Sequence, residues 1–193
     1  YTALQFLREW RWNVKAAVRA FEAMIAWRTE NGIDGLLEHY QPPSDYHYFP
    51  QAILRGTDRR GNPIYVERTG VTHLWELLQR HGTVETVRAS TTWIRETCTT
   101  GSWVAAWEAQ HQRGLSGSTA IVDLHGLNRK HVQWAVMQAV KEGTKIIQAN
   151  WPCEAHRVII IRAPALFRHV WTFLKPFCKF TTPHGAFLFS FLS

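Results

Sequence analysis

Two short apolar runs, TAIVDL at 119–124 and RVIII at 157–161, are rich in β-branched residues and lack polar alternation. Such runs mark strands buried on both faces of a parallel sheet. Between them, apolar or small residues recur at Val132, Ala135, Val136, Ala139, Val140, Gly143, Ile146 and Ile147. That three-and-four spacing puts them on one side of a helix. Asn128 can cap this helix, and Trp151-Pro152 ends it, because the residue before proline is pushed out of the helical region. Strand, helix and strand predict a right-handed βαβ unit.

The same reading extends in both directions. Residues 1–11 read as the end of a helix. Asn13 caps the next helix, which runs to Asn31 and stops at Gly32. Its predicted apolar face is Val14, Ala17, Val18, Phe21, Met24, Ile25 and Trp27. Residues 32–50 read as a loop. The runs at 53–58 and 63–68, joined by Arg59-Arg60-Gly61-Asn62, predict a β-hairpin. A short helix around Leu74–Arg80 and a long helical region from Thr83 to Gln112 follow, with a bend or break at Gly101-Ser102. Pro164 opens a further helix carrying Leu166, Phe167, Val170, Trp171, Phe173 and Leu174, and Pro176 ends it. Residues 185–192 read as a last strand. The expected architecture is α/β: a small helical lobe at 1–32, then a mixed sheet with helices at 33–193.

At 193 residues the chain has room for one sizeable core. Ten Trp and ten Phe are many for that length, so some aromatic surface is expected to line a cavity. A net charge of +7 points to an acidic partner, either an anionic membrane surface or nucleic acid. The cations are dispersed without a dense Lys/Arg run, which argues against nucleic acid. No apolar run approaches the roughly 18–20 residues that span a bilayer. The chain opens inside a helical pattern, YTALQFL, and so reads as a domain from a longer protein. Cys98, Cys153 and Cys178 lack metal-ligand spacing and suit a reducing cytosol.

Nucleotide chemistry is not supported. There is no GxGxxG and no GxxxxGK[ST], and GLSGST at 114–119 precedes a strand instead of opening a helix. There is no GxSxG elbow for a nucleophile. Asp123 and His125 follow a buried strand, where α/β enzymes place active residues. The simpler expectation is that Asp123 braces the turn and His125 lies at the surface. His125 and His131 lack the spacing of a metal site. Arg59, Arg60 and Arg68 put positive charge on or near the hairpin, as an ordinary solvated turn also would.

The strings FLREWRWNVKAAVRAFEAMIAWRTENGID, GTDRRGNPIYVERTG, IVDLHGLN, IIQANWPCEAHRVIIIRAP and FLKPF occur in that order over nearly the whole chain. Together they resemble the CRAL-TRIO lipid-binding domain of phosphatidylinositol/phosphatidylcholine transfer proteins. The resemblance implies a sheet that floors a hydrophobic pocket for one lipid. It also implies a gate helix at 165–176, with Phe167, Val170, Trp171, Phe173 and Leu174 as its apolar residues and membrane contact when open.

By the same resemblance, Tyr65 and Ser118 sit at headgroup positions for phosphatidylcholine. Asp58 and Thr182 sit at positions tied to inositol lipids. Ala120 and Leu54 replace polar pocket residues, and Ile147 joins the expected lipid-binding set. Trp10, Cys153 and Gly185 stand where the inositol-lipid binders carry Arg or Lys, Glu and Lys. Arg11 or Lys179 could supply the missing positive charge. The expectation is a monomeric, non-enzymatic lipid carrier in the cytoplasm, transiently bound to anionic membrane. No cofactor is expected beyond the bound lipid. The alternative is a regulatory or protein-interaction scaffold that keeps the fold without a lipid.

Overall fold

The structure is a computed structural model. It describes residues 3–45, 51–100, 102–112, 114, 117–152, 155–177 and 186–190, with the side chains at 51–55, 100, 102, 103, 105, 156, 177 and 186–190 outside the description.

Two helices open the chain, α1 (Ala3–Glu9) and α2 (Val14–Asn31). Asn13 caps α2 as its sequence predicts: Oδ1 accepts the Ala16 N–H at 3.1 Å. Gly32 closes it, its N–H donating to the carbonyls of Arg28 and Thr29. Phe6, Ala17 and Met24 are buried together, with Trp10 and Phe21 against them. The predicted stripe on α2 is wider than the surface that covers it. Val14, Val18 and Ile25 are 62%, 46% and 48% exposed, because α1 meets α2 along one edge only and α7 (Trp134–Asn150) touches another. A short helix, α3 (Leu36–His39), then leads into the sheet.

The sheet has five strands: β1 (Gln51–Thr57), β2 (Pro63–Glu67), β3 (Ser118–Asp123), β4 (Ala155–Ile161) and β5 (Ala186–Ser190). They lie side by side in chain order. β1 and β2 form the antiparallel hairpin, and every later neighbour is parallel. All five strands fall where the apolar runs predict them, in one mixed sheet.

The connection from β2 to β3 is long and helical. α4 (Leu74–Val87) kinks at Gly82, whose backbone leaves the helical region at φ 75° and ψ 172°. The kink falls between the short helix and the long helical region expected from sequence. A wider π-type stretch, Arg88–Trp93, leads into α5 (Ile94–Thr100), and α6 (Ser102–His111) follows. Gly101, where the sequence predicts a bend or break, lies outside the described residues. The π-type turn lies against Gly143 of α7, where an added Cβ would stand 2.7 Å from Thr91 Oγ1. A larger residue there would require the Thr91 side chain to turn away.

α7 is the crossover helix between β3 and β4. Asn128 caps a 3-10 turn, Arg129–Val132, and α7 starts only at Trp134. Val136 and Ala139 pack on Leu74, Leu78 and Val87 of α4. Ala135, predicted on the same stripe, is exposed instead. Trp151 is almost wholly buried at the end of α7, edge-on to Trp27 of α2 at 5.6 Å. After β4, α8 (Phe167–Leu174) is entered through a turn at Pro164, whose carbonyl accepts the Phe167 N–H at 2.9 Å. A 3-10 turn, Lys175–Phe177, ends it.

Candidate functional site

Strand register decides which side chains share a face. Tyr65 pairs with Ala120, and Ala120 pairs with Val158. Two residues on, Glu67, Val122 and Ile160 form the next row. Side chains alternate along a strand, so both rows point the same way. Val122, Val158 and Ile160 pack in one cluster with Phe167 and Val170 of α8 and with Met137 of α7. Tyr65 and Ala120 therefore stand on the helix-covered face. Ser118, two residues before Ala120, joins them there and is half-buried.

Tyr65 is 6% exposed. The Arg95 guanidinium of α5 lies over its ring, 5.7 Å from the centroid, as a cation–π pair. A cation and a phenol thus share the same corner of the covered face.

Asp58 belongs elsewhere. Its Oδ1 accepts the N–H groups of Arg60 and Asn62 at 2.8 and 2.9 Å. Its Oδ2 accepts from Asn62 Nδ2 and from the Thr119 hydroxyl, the latter at 2.7 Å. Thr119 lies between Ser118 and Ala120 and so points to the opposite face. Burial alone would raise the Asp58 pKa, but these donors outweigh it and bring it down to about 2. The visible role of Asp58 is to lock the hairpin turn and tie it to β3.

Ile147 is half-buried near the end of α7 and is not among the side chains packed with α8. Trp10 stacks on Phe6 at 5.8 Å in the core of the first two helices. Arg11 is exposed in the turn beside it, with φ 50°. Thr182, Lys179, Gly185, Cys153 and Cys178, and the Leu54 side chain, lie outside the described residues.

The five apolar residues of α8 all turn toward the protein. Phe167 and Val170 are 7% and 9% exposed, and Trp171, Phe173 and Leu174 are half-buried in the same cluster. Arg168, His169 and Thr172 form the outward face, with Lys175 just beyond. Leu124 and Ile160, near the carboxyl ends of β3 and β4, are buried in this cluster. Ser118, Tyr65 and Ala120 lie toward the other end of the strands.

At the carboxyl end, Asp123 is 4% exposed and ion-paired. Oδ1 accepts the His125 N–H at 3.0 Å and Arg162 Nε at 2.9 Å, and Oδ2 accepts from Arg162 Nη2. Arg68 Nε stands 3.9 Å away. Burial would raise the Asp123 pKa, but Arg162, the His125 amide and Arg68 hold it below the usual carboxylate range. His125 meets Asp123 through its backbone, and the ring is at the surface. Asp123 is a brace, as the simpler sequence reading expects. Gly70 packs on this turn so closely that a Cβ would lie 2.3 Å from the His125 carbonyl oxygen.

Beside it is a cleft of about 360 Å³, lined in part by Thr72, Trp75, Glu76, Lys130 and His131. His131 spans it, one ring nitrogen 3.0 Å from the Thr72 carbonyl and the other accepting the Asn128 N–H. Burial lowers the pKa of this histidine despite both contacts. Trp27, Ile33, Val87 and Ile146 border a more apolar cleft of about 280 Å³.

Two residues at these surfaces are missed by sequence reasoning. Arg95 carries no motif. Trp134, 70% exposed, is set off the Val132, Val136 and Val140 stripe, and that offset is the signal that would have found it.

A mixed, sequentially ordered sheet with an apolar helix folded onto one face defines a small α/β domain. The chain belongs to the CRAL/TRIO domain family, whose characteristic sequence pattern matches residues 51–183. It is 27% identical to the phosphatidylinositol/phosphatidylcholine transfer protein SFH9 of Arabidopsis thaliana, over 92% of this chain and 31% of that one. It is 30% identical to the SEC14 cytosolic factor of Eremothecium gossypii, over 97% of this chain and 60% of that one. A CRAL-TRIO domain-containing protein of Caenorhabditis elegans is 30% identical, with 90% of this chain and 24% of its own length aligned. The chain thus spans less than two thirds of the length of these curated relatives. The crystal structure of Sfh5 shares the fold, with a TM-score of 0.65 at 13% identity, over 96% of this chain and 62% of that one. Among the described residues no helix is long and apolar enough to cross a membrane.

Proposed function

We propose that this domain binds a single hydrophobic lipid, a phospholipid or another small lipophile, and transfers or presents it between membranes without catalysis. The observation that carries the reading is the folding of α8 onto the sheet face that holds Tyr65, Ser118 and Ala120. Five apolar side chains of α8 turn inward, so the helix acts as the gate over that face. Burial is worth about 0.8 kcal/mol per CH₂ group, so an apolar enclosure offsets the loss of bilayer contact. The headgroup lies at the Ser118–Tyr65 end, and the acyl chains run beneath the helices. Asp58, already supplied with protein donors and tied to Thr119 on the opposite face, offers the lipid no free acceptor. The protein works as a monomer in the cytoplasm and meets anionic membrane transiently.

Lipid mass spectrometry on natively extracted protein tests the reading, together with transfer of a fluorescent phospholipid between vesicles. One lipid per chain and protein-dependent transfer are expected. A protein that carries no lipid and moves none is a scaffold, and this reading then fails.

A further inference from the structure

All 15 carboxylate side chains of this chain lie before residue 155, and none occurs from Ala155 to Ser193. Arg157, Arg162, Arg168, Lys175 and Lys179 all stand in that acid-free span. A second acid-free span runs from Leu124 to Lys141 and holds Arg129 and Lys130. The first span supplies α8, and the second supplies the start of α7. They meet at Trp134, whose ring packs edge-on against Phe173 with centroids 6.1 Å apart.

Trp134 is 70% exposed despite that contact. Arg129, Arg168, His169 and Lys175 are exposed on the same two elements and the turns beside them. Lys130 is held by Glu76 at 2.5 Å, so it adds less. The turn carrying Lys175 packs beside α7.

We propose that Trp134, with Arg129, Arg168 and Lys175 around it, docks this domain on an anionic phospholipid bilayer while α8 is closed. An indole has an apolar body and one N–H, which suits the headgroup level of a bilayer. Exposed cations on two acid-free spans of the chain are drawn to an anionic leaflet within a Debye length. The gate residues cannot make this first contact, because they face inward. Trp134 can, because it lies outside α8. Once it is seated, its edge contact with Phe173 places the membrane directly against the gate. The proposal deepens the lipid-transfer reading, and rests on it only for the purpose of the contact.

The test is co-sedimentation with two vesicle types, phosphatidylcholine alone and phosphatidylcholine with about one third phosphatidylserine. Wild-type protein is expected to pellet with the anionic vesicles only, less so as salt rises. Trp134→Ala should weaken that binding about tenfold, the scale of one buried aromatic side chain. Trp134→Phe should keep most of it. Arg168→Gln with Lys175→Gln should weaken binding and flatten its salt dependence, and this pair tests the surface even if Trp134→Ala does not fold. Equal binding of folded Trp134→Ala and wild type overturns the proposal. So does wild-type binding that ignores phosphatidylserine, or wild-type protein that pellets with neither vesicle; the last result would leave the surface to a protein partner. Bound-lipid mass spectrometry on the same samples separates the two readings. An empty protein that docks through Trp134 ends the transfer reading and spares the surface. A lipid-loaded protein whose docking ignores Trp134 does the reverse.

Discussion

Arg28 of α2 reaches Glu96 of α5 across 68 positions of sequence, with Nη1 2.6 Å from Oε1. Glu96 is 1% exposed, and both its carboxylate oxygens lie within 3.5 Å of Arg28 Nη1. Arg28 also holds Asp34 at the surface. The pair fixes the opening helices to the helix whose Arg95 covers Tyr65.

Removing one member of a buried pair strands the other and costs about 3–5 kcal/mol. Arg28 keeps Asp34, so Glu96→Ala should fall near the lower end of that range. Lys145→Ala breaks the exposed Lys145–Glu142 pair and should cost under about 0.5 kcal/mol. Urea denaturation midpoints check the contrast. Equal effects would refute the buried role.

Asp58 makes stability depend on acid pH. Its folded pKa, about 2, lies below the ordinary value of 3.8. A depressed carboxylate stabilises the fold above its unfolded pKa, and that contribution is lost as pH falls through the folded value. Asp58→Asn should therefore melt lower than wild type at neutral pH, and the gap should narrow between pH 4 and 2. A gap independent of pH would show that hydrogen bonding alone matters at this site.

Gly70→Ala should destabilise by about 1–3 kcal/mol, the range for an overpacked core. The new Cβ would meet backbone oxygens of Leu124 and His125 at 2.5 and 2.3 Å, and no rotamer relieves that. The loop must move, and Arg68 with it, loosening the surroundings of Asp123. Thermal melts, with hydrogen exchange at the turn after β3, report both effects. Unchanged melting would show that this approach is not tight.

Arg95 and Tyr65 should couple. A double-mutant cycle of Arg95→Ala and Tyr65→Leu should give about 0.5–2 kcal/mol of interaction free energy, the range for a cation over an aromatic face. Additive single effects would mean that the guanidinium leaves the ring in solution.

The strands at 119–124 and 157–161 are legible in sequence because strands covered on both sides need no polar alternation. The caps at Asn13 and Gly32 are legible because each fills a local backbone need. Val14, Val18 and Ile25 mislead, since an apolar stripe says nothing about how much of it a neighbour covers. The direction of α8 is likewise hidden: Phe173 and Leu174 suit a membrane or a core equally, and only the packing puts them inside. The site is legible in part. Tyr65, Ser118 and Ala120 share a face because of register, whereas Asp58 is turned from it by Thr119, a relation that spans 61 positions. Arg95 shows no signal, because its meaning comes from helix placement alone.

The strand order also bears on synthesis. Each strand from β2 onward lies beside the strand made just before it. As the chain leaves the ribosome, every new strand finds its neighbour already present, and no gap waits for a later segment. Growth can proceed from one edge, with each crossover helix covering its strands before the next is added. Such an order shortens the time that apolar strands such as RVIII stand bare, which is when nascent chains aggregate.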